Sequence, residues 1–342
     1  MEKMTVLQPS FRIVYSGRDV TADLSAYVTE VRYTDRLTGQ SDELDVTLGD
    51  DDGRWLGAWY PDKGAEMSLE YGYAHQRLVS AGGFDVDEVE ISGPPSVVRI
   101  RALSTGITRQ VRTRRGKAYE NTTLKAIVAQ AAKRIGAKVS GEIGEIAIDR
   151  VTQYQETDWA FVVRLCREYG YTAKLCDNNR TLVVARAGSL AEQSPVRTLY
   201  PSDLTSWRYA DKVTDVPSKT SVRYHNPDTK EVVEQQAQAG DVASQDTVTA
   251  QDENKQHVRA RSAAQAKAIA EAEQQRREQD KVALNGTLPG DPKIVAGAII
   301  DIHGLRRLNG LYLVTQATHS IGRSGGYVTE FEATRVKEGG DE

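Results

Sequence analysis

Few side chains in this 342-residue chain could catalyse a reaction or hold a ligand, and their spacing suits neither task. Glu142, Glu145 and Asp149 form the densest carboxylate group. Two carboxylates set across a cleft could cleave a glycosidic bond. These three lie in and just after the glycine-rich loop Gly141 to Gly144 with no aromatic residue nearby to grip a sugar, so they read as a solvated acidic loop. The histidines (His75, His225, His257, His303, His319) are scattered and show no H-E-x-x-H spacing. His319 falls on an expected strand and reads as structural. Cys166 and Cys176 have neither metal-ligand spacing nor a nearby second thiol, and read as buried reduced thiols. No catalytic residue, metal or cofactor is therefore expected. One charged feature remains: Arg109, Arg112, Arg114, Arg115 and Lys117 beside Tyr119. A net charge of -4 disfavours a dedicated nucleic-acid binder. Such a run makes a solvated face or meets an acidic partner, and arginine is favoured at interfaces. Arg109, Arg112, Arg114 and Arg115 are thus the candidate interface.

The elements that carry these residues show an internal repeat. Thr29 to Thr38 and Thr205 to Thr214 both spell T-x-x-R-Y-x-D-(basic)-(aliphatic)-T. Leu44, Val46 and Leu48 alternate after the first copy; Thr220, Val222 and Tyr224 alternate after the second at the same offset, and each run ends in a turn signal. Gly64-Ala65 then opens a strand, as does Gly297-Ala298. Gly82 to Val86 matches Gly310 to Val314 as G-x-(aromatic)-x-V, and Val97 to Ala102 matches Val328 to Ala333 as V-x-x-(apolar)-x-A. Alternation alone would not produce these shared identities in the same order.

The middle differs in composition. Asn121 or Thr122 can cap a helix with Leu124, Ile127, Val128, Ala131, Ala132 and Ile135 on one face, stopped by Gly136. A second helix starts near Thr157, is apolar over a wide arc (Trp159, Phe161, Val162, Val163, Leu165, Cys166), and ends at Gly170. A hairpin follows, Tyr171 to Leu175 and Thr181 to Ala185. Inside the second copy, residues 234 to 258 read as an exposed loop or ribbon. Ser262-Ala263-Ala264-Gln265 is a capping box opening a helix to about Lys281. Its alanine-rich face suits close packing with little buried area. Glu273 with Arg277, and Arg276 with Asp280, are spaced as i,i+4 pairs.

The predicted fold class is α+β, mainly β. Two tube-like antiparallel β-barrel domains from an internal duplication occupy residues 1–112 and 191–336, with a small α/β domain at 113–190 between them, a helical insertion at about 259–282, and a disordered tail at 337–342. No apolar run is long enough for a membrane span, and the start lacks a signal-peptide pattern, so membrane insertion is not expected and assembly in the bacterial cytoplasm is.

The stretch Gln153 to Tyr171 resembles the motif Q-x-x-E-(S/T)-D-W-x-F-(two apolar or basic)-R-L-x-x-E-x-G of contractile-tail baseplate hubs, shared by the late control D proteins of tailed phages and the hub half of type VI secretion spike proteins. Gln153, Glu156, Asp158, Trp159, Phe161, Leu165 and Gly170 carry the match, expected to be structural. Gly83-Phe84, Ser92-Gly93-Pro94-Pro95 and the stretch Gly286 to His319 resemble the same family. The resemblance implies a homotrimeric hub without enzymatic activity. Its duplicated barrels would form a pseudo-six-fold ring joining the hexameric tail tube to a trimeric spike on a separate polypeptide. The spike protein, the tail tube protein, other baseplate subunits and the tape-measure protein are the implied partners, within a virion or a phage-tail-like bacteriocin. The alternative is a cell-wall glycan-binding or lytic tail component, resting on the middle domain and the acidic loop.

Overall fold

A computed structural model of the chain describes residues 7–104, 112–177, 179–211, 217–225, 230–238, 250–257 and 263–339. Arg109, Ser262 of the capping box and Asn226-Pro227-Asp228, the turn signal expected after the second alternating run, lie outside them.

The first third is strand-rich: β1 (Pro9–Tyr15), β2 (Arg18–Asp19), the short α1 (Thr21–Ser25), β3 (Val28–Arg36), β4 (Glu43–Gly49), β5 (Glu66–Tyr73), β6 (Val79–Ser92) and β7 (Val97–Leu103). The middle holds β8 (Arg114–Thr123), α2 (Leu124–Ile135), β9 (Lys138–Ser140), β10 (Ala147–Thr157), α3 (Asp158–Glu168), β11 (Tyr171–Cys176), β12 (Thr181–Arg186) and α4 (Ala187–Ala191). The last part carries β13 (Arg197–Leu199), β14 (Ser206–Asp211), β15 (Pro217–His225), β16 (Val232–Gln238), β17 (Ala250–His257), α5 (Ala263–Asp280), β18 (Val282–Pro289), β19 (Ile299–Ile302), β20 (Gly310–Gly322) and β21 (Gly326–Glu338).

A 13-stranded sheet takes its strands from both ends of the chain. Hydrogen-bonded neighbours run β3–β4–β7–β6–β5 in the first part and β14–β18–β21–β20–β19 in the last, all antiparallel. The two paths agree in detail. Tyr33 faces Leu44 as Tyr209 faces Leu284. Register shifts just past Val86 in β6 and just past Val314 in β20. Gly64 N–H bonds to the Val86 carbonyl at 2.7 Å, and Gly297 N–H to the Val314 carbonyl at 2.8 Å. The flanking strands differ: β1 is antiparallel to β5, whereas β13 is parallel to β19.

One expected correspondence is corrected. Thr220, Val222 and Tyr224 do not repeat Leu44, Val46 and Leu48. They lie in β15, which pairs with β16 and β17 in a separate sheet, while the place beside β14 goes to β18 with Val282, Leu284 and Leu288 buried. Alternation marks a strand with one buried face but does not say which sheet receives it.

Three apolar cores result. One lies under β3–β7 and includes Ile321 and Tyr327 from the last part. One lies under β18–β21. The third joins α2, α3 and the β11–β12 hairpin with Val222, Tyr224, Ala266, Ile269 and Ala270. The inserted helix α5 therefore packs on the middle elements. Its alanines allow close approach: the Cβ of Ala272 lies 3.2 Å from where a Cβ on Gly170 would stand. The stretch 234–258, expected as a loop or ribbon, holds most of strand β16 (Val232–Gln238) and all of β17 (Ala250–His257).

Local chemistry accounts for the helix ends. Thr123, not Asn121 or Thr122, caps α2 and accepts from Ala126 N–H at 3.2 Å. Thr123 is the last residue of β8 and stands directly before the helix in the extended conformation of an N-cap, whereas Asn121 and Thr122 lie further back along the strand. Gly136 at φ 90 ends α2, a conformation that suits glycine. In α5, Glu273 meets Arg277 at 2.8 Å as spaced, but Arg276 also turns to Glu273, at 2.7 Å; the side chain of Asp280 lies outside the described residues. Lys337 and Glu338, expected in a disordered tail, instead extend β21 opposite Leu311 and Gly310.

Candidate functional site: a braced helix, a buried joint and two open strand edges

The motif at the start of α3 forms a buried polar centre. Thr157 caps the helix, accepting from Ala160 N–H at 3.1 Å. Asp158 follows in the first turn, where the helix dipole favours a carboxylate. It is fully buried and receives Nε2 of Gln153 at 3.0 Å, Nη2 of Arg134 at 2.7 Å and Nε of Arg115 at 3.2 Å. Arg134 also donates to the Tyr119 hydroxyl at 2.8 Å. Burial works to raise the Asp158 pKa, but these donors outweigh it and hold the carboxyl below its usual range. The centre ties β8, β10 and α2 to the start of α3. Glu156 faces outward to Arg164 at 2.7 Å. Phe161 and Leu165 fill the core, Trp159 packs at its margin, and Gly170 turns the chain at φ 75.

The candidate interface residues separate. Arg115 is committed to Asp158. Arg112 is exposed and lies 3.6 Å from Asp87. Arg114 is exposed on β8 opposite Thr157, and Arg109 is outside the described residues. In the acidic loop, Glu145 pairs with Lys125 at 3.0 Å.

A second polar cluster joins the parts of the molecule and was not anticipated. Lys174 of β11 contacts the Asp35 carboxylate and lies 3.0 Å from that of Asp42. Asp35 accepts from Ala296 N–H at 2.9 Å, and Asp42 from Arg36 N–H at 2.9 Å. Two buried carboxylates share one ammonium. Burial above all pushes Asp42 up to about 6, with Lys174 opposing and Asp35 adding. Burial works to lower the Lys174 pKa, and the carboxylates reverse this, so it is raised. Beside them His319 lies among Tyr33, Tyr71 and Tyr327, its Nδ1 2.9 Å from the Tyr327 hydroxyl and 3.1 Å from Thr329 Oγ1. Burial brings its pKa down to about 4, against a smaller opposing pull from Asp35. The one available signal was Asp35 itself, the invariant Asp of the repeated T-x-x-R-Y-x-D.

The third feature is a pair of open strand edges. Among the described residues β14 has β18 on one side and no strand on the other. Among the described residues β6 has only β7 beyond its pairing with β5, so residues 87–92 expose a second edge. Unpaired edges are templates for another strand. Arg99 pairs with Asp45 at 2.8 Å and Arg101 with Glu43 at 2.7 Å on the polar face nearby. Among the described residues no group of three or more His, Cys, Asp or Glu side chains could hold a metal ion, and no helix is long and apolar enough to cross a membrane.

The fold is one found in phage tail proteins. The chain aligns over 96% of its length with a tail protein of Neisseria meningitidis (97% of that chain, TM-score 0.71, 13% identity). It aligns over the same share with a prophage 43 kDa tail protein of Shewanella oneidensis (98% of that chain, TM-score 0.69, 15% identity). An Escherichia coli type VI secretion component aligns over 92% of this chain and 75% of its own (TM-score 0.56, 15% identity). The chain belongs to the phage tail baseplate hub (GPD) family, whose model matches residues 61–325. Probable baseplate hub proteins of Escherichia phages P2 and 186 are 34% identical over 168 residues and 30% identical over 194 residues. These matches span 48% and 56% of this chain, but only 43% and 49% of those relatives.

Proposed function

We propose that this baseplate hub chain is a symmetry adapter: a homotrimer whose two tube-like units per chain form a pseudo-six-fold ring between a hexameric tail tube and a trimeric spike protein. The observation that carries this is the strand path traced twice and joined edge to edge, which a three-fold assembly would turn into six similar units. Duplication of a barrel domain is the simplest origin of that path, with units at about 1–112 and 191–336 and the α/β unit between them. Head-to-tail interfaces form a ring when their rotation closes, as a three-fold does. The role is mechanical and requires no catalysis.

The polar face carrying Asp45 and Glu43 would line the channel. Its arginines are matched by carboxylates, which keeps a passage for DNA from binding phosphate strongly. Arg112 and Arg114, with Arg109, would dock onto a neighbouring baseplate or tube subunit. Light scattering on the purified chain, with end-on particle averages, tests the adapter. A trimeric mass and a six-lobed ring are expected; a stable monomer at micromolar concentration refutes it. Replacing these three arginines with Ser should impair particle assembly, and intact assembly would remove them from the interface.

A further inference from the structure

The junction inside the chain predicts the junction between chains. Here β20 meets β3 in antiparallel register, with Ala317 opposite Asp35, His319 opposite Tyr33 and Ser320 opposite Arg32. By the shared strand path and bulge, β6 corresponds to β20 and β14 to β3. Among the described residues both of these strands have an open edge.

We propose that β14 of one copy pairs with residues 88–92 of β6 in a second copy, in the register of the internal junction. Ile91 then lies opposite Tyr209, Ser92 opposite Arg208, and Val89 opposite Asp211. This rests on the trimeric hub reading and names the surfaces that would close it.

Three observations favour a second copy as the occupant. First, residues that are buried at the internal junction have exposed equivalents at the open edges. Val31 is 2% exposed, whereas Trp207, at the same position of β14, is 44% exposed. His319 is buried and its equivalent Ile91 half-buried. An exposed tryptophan on an unpaired edge strand is what a missing partner would leave.

Second, the residue types of one side-chain contact at the internal junction recur at the open edges. Arg32 Nε donates to Ser320 Oγ across the internal junction at 3.2 Å. The transferred positions are again an arginine and a serine, Arg208 and Ser92. Glu90 falls diagonal to Arg208 on the same face, within reach for charge pairing.

Third, the loop before β19 closes the internal junction through the Ala296 N–H bond to Asp35. Its equivalents are Lys63 and Asp211, both exposed. The new pairing brings the Lys63 N–H of one copy to the Asp211 carboxylate of the next.

Cysteine crosslinking tests the register. With Cys166 and Cys176 replaced by alanine, Ile91→Cys/Tyr209→Cys is treated with a mild oxidant and a short bis-maleimide. Conversion of the monomer band to covalent dimer and trimer is expected on a denaturing gel. The two single variants should stay monomeric, and Val89→Cys/Tyr209→Cys should convert far less. A trimer by light scattering without in-register crosslinks overturns this pairing and leaves the hub reading intact; a monomer overturns both. Trp207→Ser, at an exposed site, supplies a second readout. A shift of the purified chain from trimer towards monomer is expected, and an unchanged mass at all dilutions counts against the edge contact.

Discussion

Replacing Lys174 with Met should open the buried joint between the middle elements and the two sheet halves. The substitution keeps the packed methylenes and removes the ammonium that Asp35 and Asp42 share. Both carboxylates are only 4% exposed. Removing one partner of a buried ion pair costs about 3–5 kcal/mol, because the stranded charge stays desolvated. The surviving Ala296 and Arg36 N–H bonds each offset about 1 kcal/mol. A net loss of about 1–3 kcal/mol is expected near pH 7.5. The loss should shrink towards pH 5. Asp42 already titrates at about 6, above its unfolded value, so the folded state binds its proton more tightly. Stability carried by such a raised carboxyl is present at low pH and falls as pH rises through the folded value. Without Lys174 this dependence steepens, and adding Asp42→Asn should recover much of the loss. Urea unfolding at both pH values measures the loss. Amide exchange at Ala173, bonded to Thr38 Oγ1 at 3.2 Å, reports on the joint itself, since a chain of this size need not unfold in one step. A loss below about 1 kcal/mol with no pH dependence, the behaviour of an exposed pair, would refute the reasoning.

Arg134→Met should destabilise the chain by about 2–3 kcal/mol, because buried Asp158 loses its closest donor and keeps only Arg115 and Gln153, and Arg134→Met with Asp158→Asn should be milder, read as urea midpoints. His319→Gln should flatten the acid limb of stability. A histidine lowered to about 4 binds fewer protons folded than unfolded, so stability rises between about pH 4 and 6.5 by about 3 kcal/mol. Equal slopes in variant and parent would exclude His319 as the source. Gly290→Ala should cost about 1–3 kcal/mol, because its Cβ would stand 2.1 Å from the Tyr327 ring; thermal unfolding checks it, and an unchanged midpoint would show that the ring yields freely.

Much of the architecture was legible where local periodicity and caps carry it. The apolar face of α2 was read residue for residue, because a helix repeats every few residues and Gly136 ends it visibly. The Gly-x-aromatic and Val-x-x-apolar-x-Ala matches fall on corresponding strands because each couples a turn glycine or packed side chain to a fixed register. The role of Asp158 was not legible: a motif shows which residues recur, while its clamp Arg134 lies on another helix with no spacing to announce it.

The sequence by itself determined a strand-rich chain, with its repeated Arg-Tyr-x-Asp and a capped helical middle, since these depend on neighbours a few residues apart. Tertiary structure alone decided three things: that β18 and not β15 completes the second strand path, that α5 joins the middle core, and that Lys174 binds Asp35 and Asp42. Each depends on which surfaces meet after long stretches of chain have folded back, and alternation or charge type is the same whichever partner is found.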